Sequence, residues 1–358
     1  MKYKTEVIIT APSLNPNINV SGISSITSFI INCNQNHRYI HFQLGKGDEE
    51  KRSITWLFGI LSSYLKWVKL LVINRHAQIH FNLAVDKRAL IRDTPLILLA
   101  KLFQKHIIIH LHGGEYFFRE KLPVWMNLLL KLSFSGNYPK IVASPLEAEQ
   151  LKKKWKCGPI SVLPNCIDLT QANLFQRHFN SDESPVLLFM GRISLNKGIE
   201  YIYQALACLK KEHYNFKFIM AGKGPDEQLY VQKFKELLGE DFEFEGVASG
   251  DRKTALLKRC NVFLLPSFFE GLPMALLESM SFSLVPITTD VGSIKYLIDH
   301  GKNGLLINKY SAEQISSGIK QVFKEPGYLQ QLRENAREYI FRNYSPPKYF
   351  ESLNKLYK

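Results

Sequence analysis

Short apolar runs rich in β-branched residues alternate with longer stretches of helical period along the whole chain. EVIIT (6–10), RYIHFQL (38–44), QIHFN (78–82), HIIIHLHG (106–113), KIVAS (140–144) and SVLPN (161–165) predict a first set of strands. After the polar gap NSDESP (180–185) a second set follows: VLLFMG (186–191), KFIMAG (217–222), FEFEG (242–246), VFLLPS (262–267), LVPITT (284–289) and GLLI (304–307). Helix-length segments such as 194–213 and 225–238 separate them. Short apolar strands with helices between them read as parallel sheets covered on both faces. The expected fold class is α/β, with two doubly wound, Rossmann-like domains facing a cleft. The expected boundaries are 1–170 and 185–341. The tail EYIFRNYSPPKYFESLNKLYK carries two prolines and then an amphipathic segment, which predicts a separate final helix over 342–358, packing back on the first domain. Ligands of such sheets bind at the carboxyl ends of the strands, so the loops there carry the search for chemistry.

Composition narrows the class. A chain of 358 residues exceeds one hydrophobic core, and 46% hydrophobic with 22% charged residues is ordinary for a folded protein. Five scattered cysteines without a C-x-x-C pair argue against a disulfide framework and a zinc site, and for a reducing compartment. The apolar run at the N-terminus is too short for a signal peptide, and the segment 54–73 is interrupted by Lys66 and Lys69, so it reads as an amphipathic or buried helix rather than a span. The expected location is cytoplasmic. The net charge of +14 is uneven: residues 1–170 hold 22 Lys/Arg against 11 Asp/Glu (+11), residues 171–358 hold 24 against 21 (+3). A basic first half suits an anionic partner such as membrane headgroups, nucleic acid or a phosphorylated acceptor; a solvated basic face is the plainer reading. No helix-turn-helix, finger or RNP pattern accompanies the charge, and KKKWK (152–156) reads as a solvated helix face, so nucleic acid is set aside.

Three loops in the second half follow strands. MGRISLNKG carries Gly191, Arg192, Lys197 and Gly198; its two cations can converge on one diphosphate, or simply lie on the surface beside a helix turn. AGKGP (221–225) carries Gly222 and Gly224, which admit a ligand close to the backbone, but Glu227 stands where a dinucleotide fingerprint needs glycine. In PSFFEGLPMALLE, Gly271 turns the chain and Pro273 suits the first turn of a helix, whose N–H groups and dipole favour a phosphate. Glu270 precedes that helix and Glu278 lies inside it. Their spacing suits hydroxyl recognition at two points of an extended ligand better than a coupled proton-transfer dyad; ordinary helix-end charges are the alternative.

Taken together, GR-x4-KG, the strand-AGKGP turn and PS-x2-EG-x-P-x4-E resemble the family 4 glycosyltransferases of the two-domain GT-B fold. PNCID (164–168) and TDVGSIKYLIDHGKNGLLI (289–307) extend the resemblance, with Ser293 and Tyr296 departing from the family's glycine and glutamate. The likeness is strongest from 160 to 345. In the first half it is carried by Ser21-Gly22 and by HLHGGEYFF (110–118), whose His112 would face the donor sugar. The resemblance implies that Arg192 and Lys197 hold the diphosphate of a nucleotide-sugar. Glu278 would take the ribose hydroxyls and Glu270 those of the transferred sugar. Backbone near Gly271, Leu272, Pro273 and Met274 would assist, and Gly22, Gly191, Gly222 and Val247 would line the donor site, Val247 near the base.

The resemblance also implies a retaining transfer that needs no protein base and no cofactor. Without a D-x-D at a strand end, metal independence is expected. The implied catalytic set is Glu270, His112, Arg192 and Lys197. The acceptor would meet the basic first domain, where Lys51, Arg52, Trp56, Lys66, Trp67 and Lys69 combine cations with aromatics as an interfacial surface would; core and solvated residues of an ordinary helix are the alternative. The expected function is therefore a peripheral hexosyltransferase acting on a lipid-linked saccharide in surface polysaccharide or lipopolysaccharide synthesis, on the inner face of the cell membrane. A transferase with a soluble small-molecule or protein acceptor, and a non-catalytic nucleotide-sugar binder, are the alternatives. A dinucleotide oxidoreductase is disfavoured by the incomplete glycine motif, and a glycogen-type synthase by the chain's length.

Overall fold

Each of the twelve predicted runs carries one strand, and all twelve strands run parallel to their sheet neighbours. The computed structural model describes every residue except 1–3, 17, 20, 46–53, 114, 120, 178–183, 325 and 358; the side chains of 54–58, 60, 115, 117 and 326 are likewise outside the description. Lys51, Arg52 and the side chain of Trp56 therefore lie outside the described residues. The chain divides into two units, residues 1–165 with 347–358, and residues 166–346.

The first unit contains β1 (Glu6–Ala11), β2 (Arg38–Gln43), β3 (Gln78–Leu83), β4 (Ile107–Leu111), β5 (Lys140–Val142) and β6 (Ile160–Val162), in the order β2-β1-β3-β4-β5-β6. The order reverses between β1 and β3. One face of the sheet, with Ile79, Phe81 and Leu83 of β3 and Ile107, Ile109 and Leu111 of β4, packs on Trp67, Leu71, Leu96, Ile97, Met126 and Leu130. These come from the helices Ile54–Ile73, Lys87–Leu102 and Val124–Phe134. The intervening positions of β3, Gln78, His80 and Asn82, are polar and just as buried. They meet a different set of partners, which includes the helix Gly22–Cys33 and the C-terminal segment.

Trp67 corrects the expected interfacial cluster. It is fully buried, its Nε1 donates to the carbonyl of Leu96 at 3.0 Å, and its ring lies against Phe42 and Phe81. At about 100° per residue, position 67 points away from 65 and 69, so a tryptophan beside two lysines in sequence sits on the core side of the same helix. Lys66 and Lys69 are exposed.

The tail returns to the first unit. The helix Pro346–Leu356 stacks Phe350 on Phe29, accepts Asn34 Nδ2 on Asn354 Oδ1 at 2.8 Å, and is followed by Tyr357, whose hydroxyl lies 2.6 Å from His80 Nδ1.

The second unit contains β7 (Val186–Met190), β8 (Lys217–Ala221), β9 (Phe242–Gly246), β10 (Val262–Leu265), β11 (Val285–Thr289) and β12 (Leu305–Ile307), in the order β12-β11-β10-β7-β8-β9. Its core joins Leu187, Phe189, Phe218 and Met220 to the helices Ile199–Lys211 and Glu227–Leu238. The order reverses between β7 and β10, which sets the loops leaving those two strands side by side. The unit begins earlier than residue 185: Arg177 donates to the carbonyls of Leu257 and Phe282, and Arg337 to those of Ala172 and Ser281.

Candidate functional site

The loops leaving β7 and β10 carry GRISLNKG and PSFFEGLP, and they are tied together. Phe268 N–H donates to Asn196 O at 2.9 Å. Gly198 adopts φ +75°, and a Cβ there would stand 2.1 Å from Pro266 O, so only glycine lets the two loops touch. On the other side Gly292, at φ +56°, lies where a Cβ would stand 1.8 Å from Glu270 O, and Ser293 N–H donates to Gly271 O at 3.2 Å. The segment containing Ser293 thus braces the Glu270–Gly271 turn from beneath. Tyr296 is exposed, and its carbonyl accepts from Tyr339.

Two predicted residues, 73 positions apart in sequence, meet directly. Lys197 Nζ lies 2.6 Å from Glu270 Oε1, and Ser267 Oγ donates to that same oxygen at 2.6 Å. Glu270 is buried, as is Ser267, whose carbonyl accepts from Thr289 Oγ1 at 2.5 Å. Glu278, in the fifth position of the helix Met274–Ser281, pairs elsewhere: its Oε1 accepts from Lys253 Nζ at 2.7 Å, and Lys253 belongs to the helix Gly250–Arg259. The helix Met274–Ser281 starts after Pro273, with Leu272 buried, and has no side-chain cap. Leu276 and Leu277 N–H donate to Pro273 O, and the Pro273 side chain caps none of the earlier N–H groups, the arrangement that suits an anion.

The remaining predicted residues of this unit frame these pairs. Arg192 is exposed, next to Gly191, whose N–H donates to Ala221 O at 3.0 Å. Gly222 N–H donates to Gly246 O at 2.6 Å, which links the AGKGP turn to the end of β9 and to Val247 beyond it. Asp226 accepts Leu195 N–H at 2.9 Å on Oδ2, closing the β7 loop against the AGKGP turn. Sequence reasoning missed Ser267, Lys253 and Gly292 as parts of the site. Ser267 left a trace in the PS-x2-EG motif and Gly292 in the D-x-G pattern, whereas Lys253 left none.

Gly22 and His112 lie in the first unit. Gly22 opens the helix Gly22–Cys33 after the β1 loop, and Ser21 caps it by accepting Ser24 N–H at 3.2 Å. His112 follows β4, partly buried, with Nε2 2.6 Å from Asn82 Oδ1. Asn82 Nδ2 donates to Thr10 O at 2.6 Å and to Thr27 Oγ1 at 3.0 Å, so its amide oxygen faces the imidazole. The network assigns the His112 proton to Nε2 and leaves Nδ1 an acceptor. Burial pulls the His112 pKa down to about 3, and that of His80 likewise to about 3. His112 is therefore a neutral hydrogen-bonding group near pH 7, not a cation for phosphate. Its ring lies 4.2 Å from that of His110, whose Nδ1 is 3.0 Å from His80 Nε2, and His80 reaches Tyr357 of the tail. Among the described residues no three His, Cys, Asp or Glu side chains gather as a bound cation needs.

Residues 170–339 match the family model described as glycosyl transferases group 1. An uncharacterized glycosyltransferase of Methanocaldococcus jannaschii is 29% identical over 166 residues, 46% of this chain and 42% of that protein. The N,N'-diacetylbacillosaminyl-diphospho-undecaprenol alpha-1,3-N-acetylgalactosaminyltransferase of Campylobacter jejuni is 25% identical over 225 residues, 60% of this chain and 58% of that one. The chain spans about half the length of the curated relatives it matches. Among solved structures, a sucrose-phosphate synthase of Thermosynechococcus elongatus superposes with TM-score 0.78 at 16% identity, covering 99% of this chain and 98% of that one. HepE of Anabaena, solved in complex with UDP and glucose, gives 0.74 at 15% identity, covering 98% and 99%. At these identities the structures share the GT-B fold with this chain.

Proposed function

We propose that this chain, whose residues 170–339 match the glycosyl transferases group 1 model, is a retaining glycosyltransferase that moves a hexose from a nucleotide-diphosphate sugar to a hydroxyl of a lipid-linked saccharide. The observation that carries the reading is the convergence of the β7 and β10 loops at the reversal point of the second sheet, with Lys197, Ser267 and Glu270 in contact. The Lys197 ammonium has three N–H donors and spends one on Glu270, so the others can serve phosphate oxygens. Arg192 opens the same loop, and the uncapped helix Met274–Ser281 adds backbone N–H groups. Negative charge grows on the departing diphosphate, and these are the groups that stabilise it.

In the transfer, the bond between the anomeric carbon and the phosphate oxygen breaks. The acceptor oxygen bonds to that carbon on the face the diphosphate leaves, and its proton passes to a phosphate oxygen of the leaving group. Glu270 takes hydroxyls of the transferred sugar, Glu278 takes those of the ribose, and Val247 borders the base. Gly22 and His112 keep the donor-side roles that the sequence resemblance implies, His112 as a neutral hydrogen-bonding group. No metal is required by these steps.

The lipid-linked acceptor is supported by the Campylobacter relative, whose name specifies an undecaprenol diphosphate-linked substrate, and a polysaccharide product by a relative in Salmonella named for colanic acid biosynthesis. The test is a thermal-shift panel of nucleotide-sugars on the full chain, followed by transfer assays of any hit with a polyprenol diphosphate-linked saccharide. A rise in Tm with one donor, and transfer with retained anomeric configuration, is the expected result. Absence of any shift across the panel would overturn the donor assignment. Loss of transfer on chelation, restored by Mn²⁺, would overturn metal independence.

A further inference from the structure

Three helices cover the apolar face of the first sheet, and their outward sides are apolar as well. Of the nineteen exposed large hydrophobic side chains among the described residues, eleven lie on the helices Ile54–Ile73 (four), Lys87–Leu102 (three) and Val124–Phe134 (four). Single exposed hydrophobics are ordinary; a group of this size on adjoining helices is not.

Hydrogen bonds fix how the three helices adjoin. Lys87–Leu102 lies in the middle. Tyr64 donates to Arg92 O at 3.2 Å and Trp67 to Leu96 O at 3.0 Å on one side; Thr94 Oγ1 lies 3.0 Å from Ser133 Oγ on the other. The outermost line of the middle helix is Ile91, Pro95, Leu98 and Leu102, spaced by four, three and four residues, with Leu102 75% exposed.

The flanking helices turn their apolar edges toward that line. Counting about 100° per residue from Trp67, Tyr64 sits about 60° to one side, and Leu61, Val72 and Leu65 follow at about 120° to 160° on that same side. Lys66 and Lys69 fall on the opposite side. Counting about 100° per residue from Leu130, Trp125 and Leu132 lie at about 140° and 160° on the side of Ser133, while Leu128 and Val124 lie at about 160° and 120° on the side of Lys131. The result is one apolar surface across three helices, with Lys66, Lys69 and Lys131 toward its outer margins beside Ile73 and Val124.

We propose that this face docks the protein on an anionic lipid bilayer, with the strip in the headgroup–acyl boundary and the marginal lysines on lipid phosphates. Charge selects the bilayer over a second copy of the chain. The three helices carry seven Lys/Arg and a single acidic residue, Asp93, which is buried under Arg92 with Nε to Oδ1 at 2.5 Å. Two copies meeting on this face would bring lysine margins against lysine margins, whereas an anionic surface complements them. No helix among the described residues is long and apolar enough to cross a membrane, so the contact is peripheral. The inference rests on the lipid-linked-acceptor reading for its purpose only; the surface itself is argued from the first unit alone.

The test is flotation of the full chain with vesicles of phosphatidylethanolamine and phosphatidylglycerol, against vesicles of phosphatidylcholine. The native chain should float with the anionic vesicles. The Leu65→Asn/Ile91→Asn/Leu128→Asn variant should lose about tenfold or more in bound fraction, since each side chain forfeits its burial, while its nucleotide-sugar thermal shift stays unchanged. Lys69→Glu/Lys131→Glu should remove the preference for anionic vesicles. Three results would overturn the proposal: a native chain that stays unbound, a triple variant that floats like the native chain, or a native dimer in sedimentation that the triple variant abolishes. Because nucleotide binding is read separately, failure here leaves the donor assignment standing, and the reverse.

Discussion

Lys197 and Glu270 share a 2.6 Å ion pair in which the carboxylate is buried and the ammonium about one-quarter exposed. The pair couples the loop of β7 to the loop of β10 and presents the exposed partner, the cation, to whatever binds there.

Lys197→Met should lower transfer by about a hundredfold, the scale for removing one donor to a developing negative charge. It should also cost about 2 kcal/mol of stability, because Glu270 is left buried with the Ser267 hydroxyl in place of the lost cation. Adding Glu270→Gln should restore the stability but not the activity. Denaturant unfolding and single-turnover assays of the two single variants and the double separate the two effects.

Glu278 stands apart from that pair, held by Lys253 at 2.7 Å. If it takes the ribose hydroxyls, Glu278→Gln should raise the donor KM about ten- to a hundredfold, the scale of a lost charge-assisted hydrogen bond. Lys253→Ala should act in the same direction, less strongly. Equal KM for all three proteins would remove Glu278 from the donor site.

Asn82 holds His112 at 2.6 Å and fixes its tautomer. Asn82→Asp places a carboxylate there, which should raise the His112 pKa from about 3. The acid limb of the pH–rate profile should move upward with it. Asn82→Ala should lower kcat without moving that limb upward. An unchanged profile in Asn82→Asp would mean that His112 plays no part in the reaction.

Stability should depend on pH in two opposing ways. His80 and His112 fold with pKa values near 3 against an ordinary 6.5. Between those values the unfolded chain binds more protons, so this contribution rises with pH and is lost on acidification. Glu147 is the opposite case: burial lifts its pKa from 4.5 to about 7, although Ala143 N–H donates to it at 2.7 Å. There the folded state holds the extra proton, so its contribution is full below 4.5 and lost as pH rises through 7. Glu147→Gln should therefore stabilise the chain above that range, on the order of 2 kcal/mol. Urea unfolding across pH checks both signs.

The tail should be integral to the first unit. Tyr357→Phe leaves His80 Nδ1 buried without the hydroxyl 2.6 Å away, at a cost of about 1–3 kcal/mol. A variant as stable as the native chain would show that water or another group replaces it.

Local pattern determined much of this protein. All twelve strands were legible: the inner ones because a parallel strand buried on both faces must be a short apolar run between turn residues, and the half-buried edge strands β2, β6 and β9 because they keep β-rich or alternating runs of the same length. The helix over 54–73 was legible from its length and period, and Gly191, Arg192, Lys197, Gly222, Glu270 and Glu278 stood out as members of one motif set, whose role at a donor is the proposal made above. Tertiary structure alone decided who touches whom. Trp67 read as a surface aromatic among lysines, yet helical geometry turned it into the core. Lys197 meets Glu270 across 73 residues, Lys253 meets Glu278 across 25, and Tyr357 meets His80 across 277. Such pairings follow from the order in which strands assemble, and strand order is set by burying whole faces rather than by any local signal. The same is true of the apolar strip on the first unit: each helix alone looks modestly amphipathic, and only their packing side by side joins the leftover apolar edges into one surface.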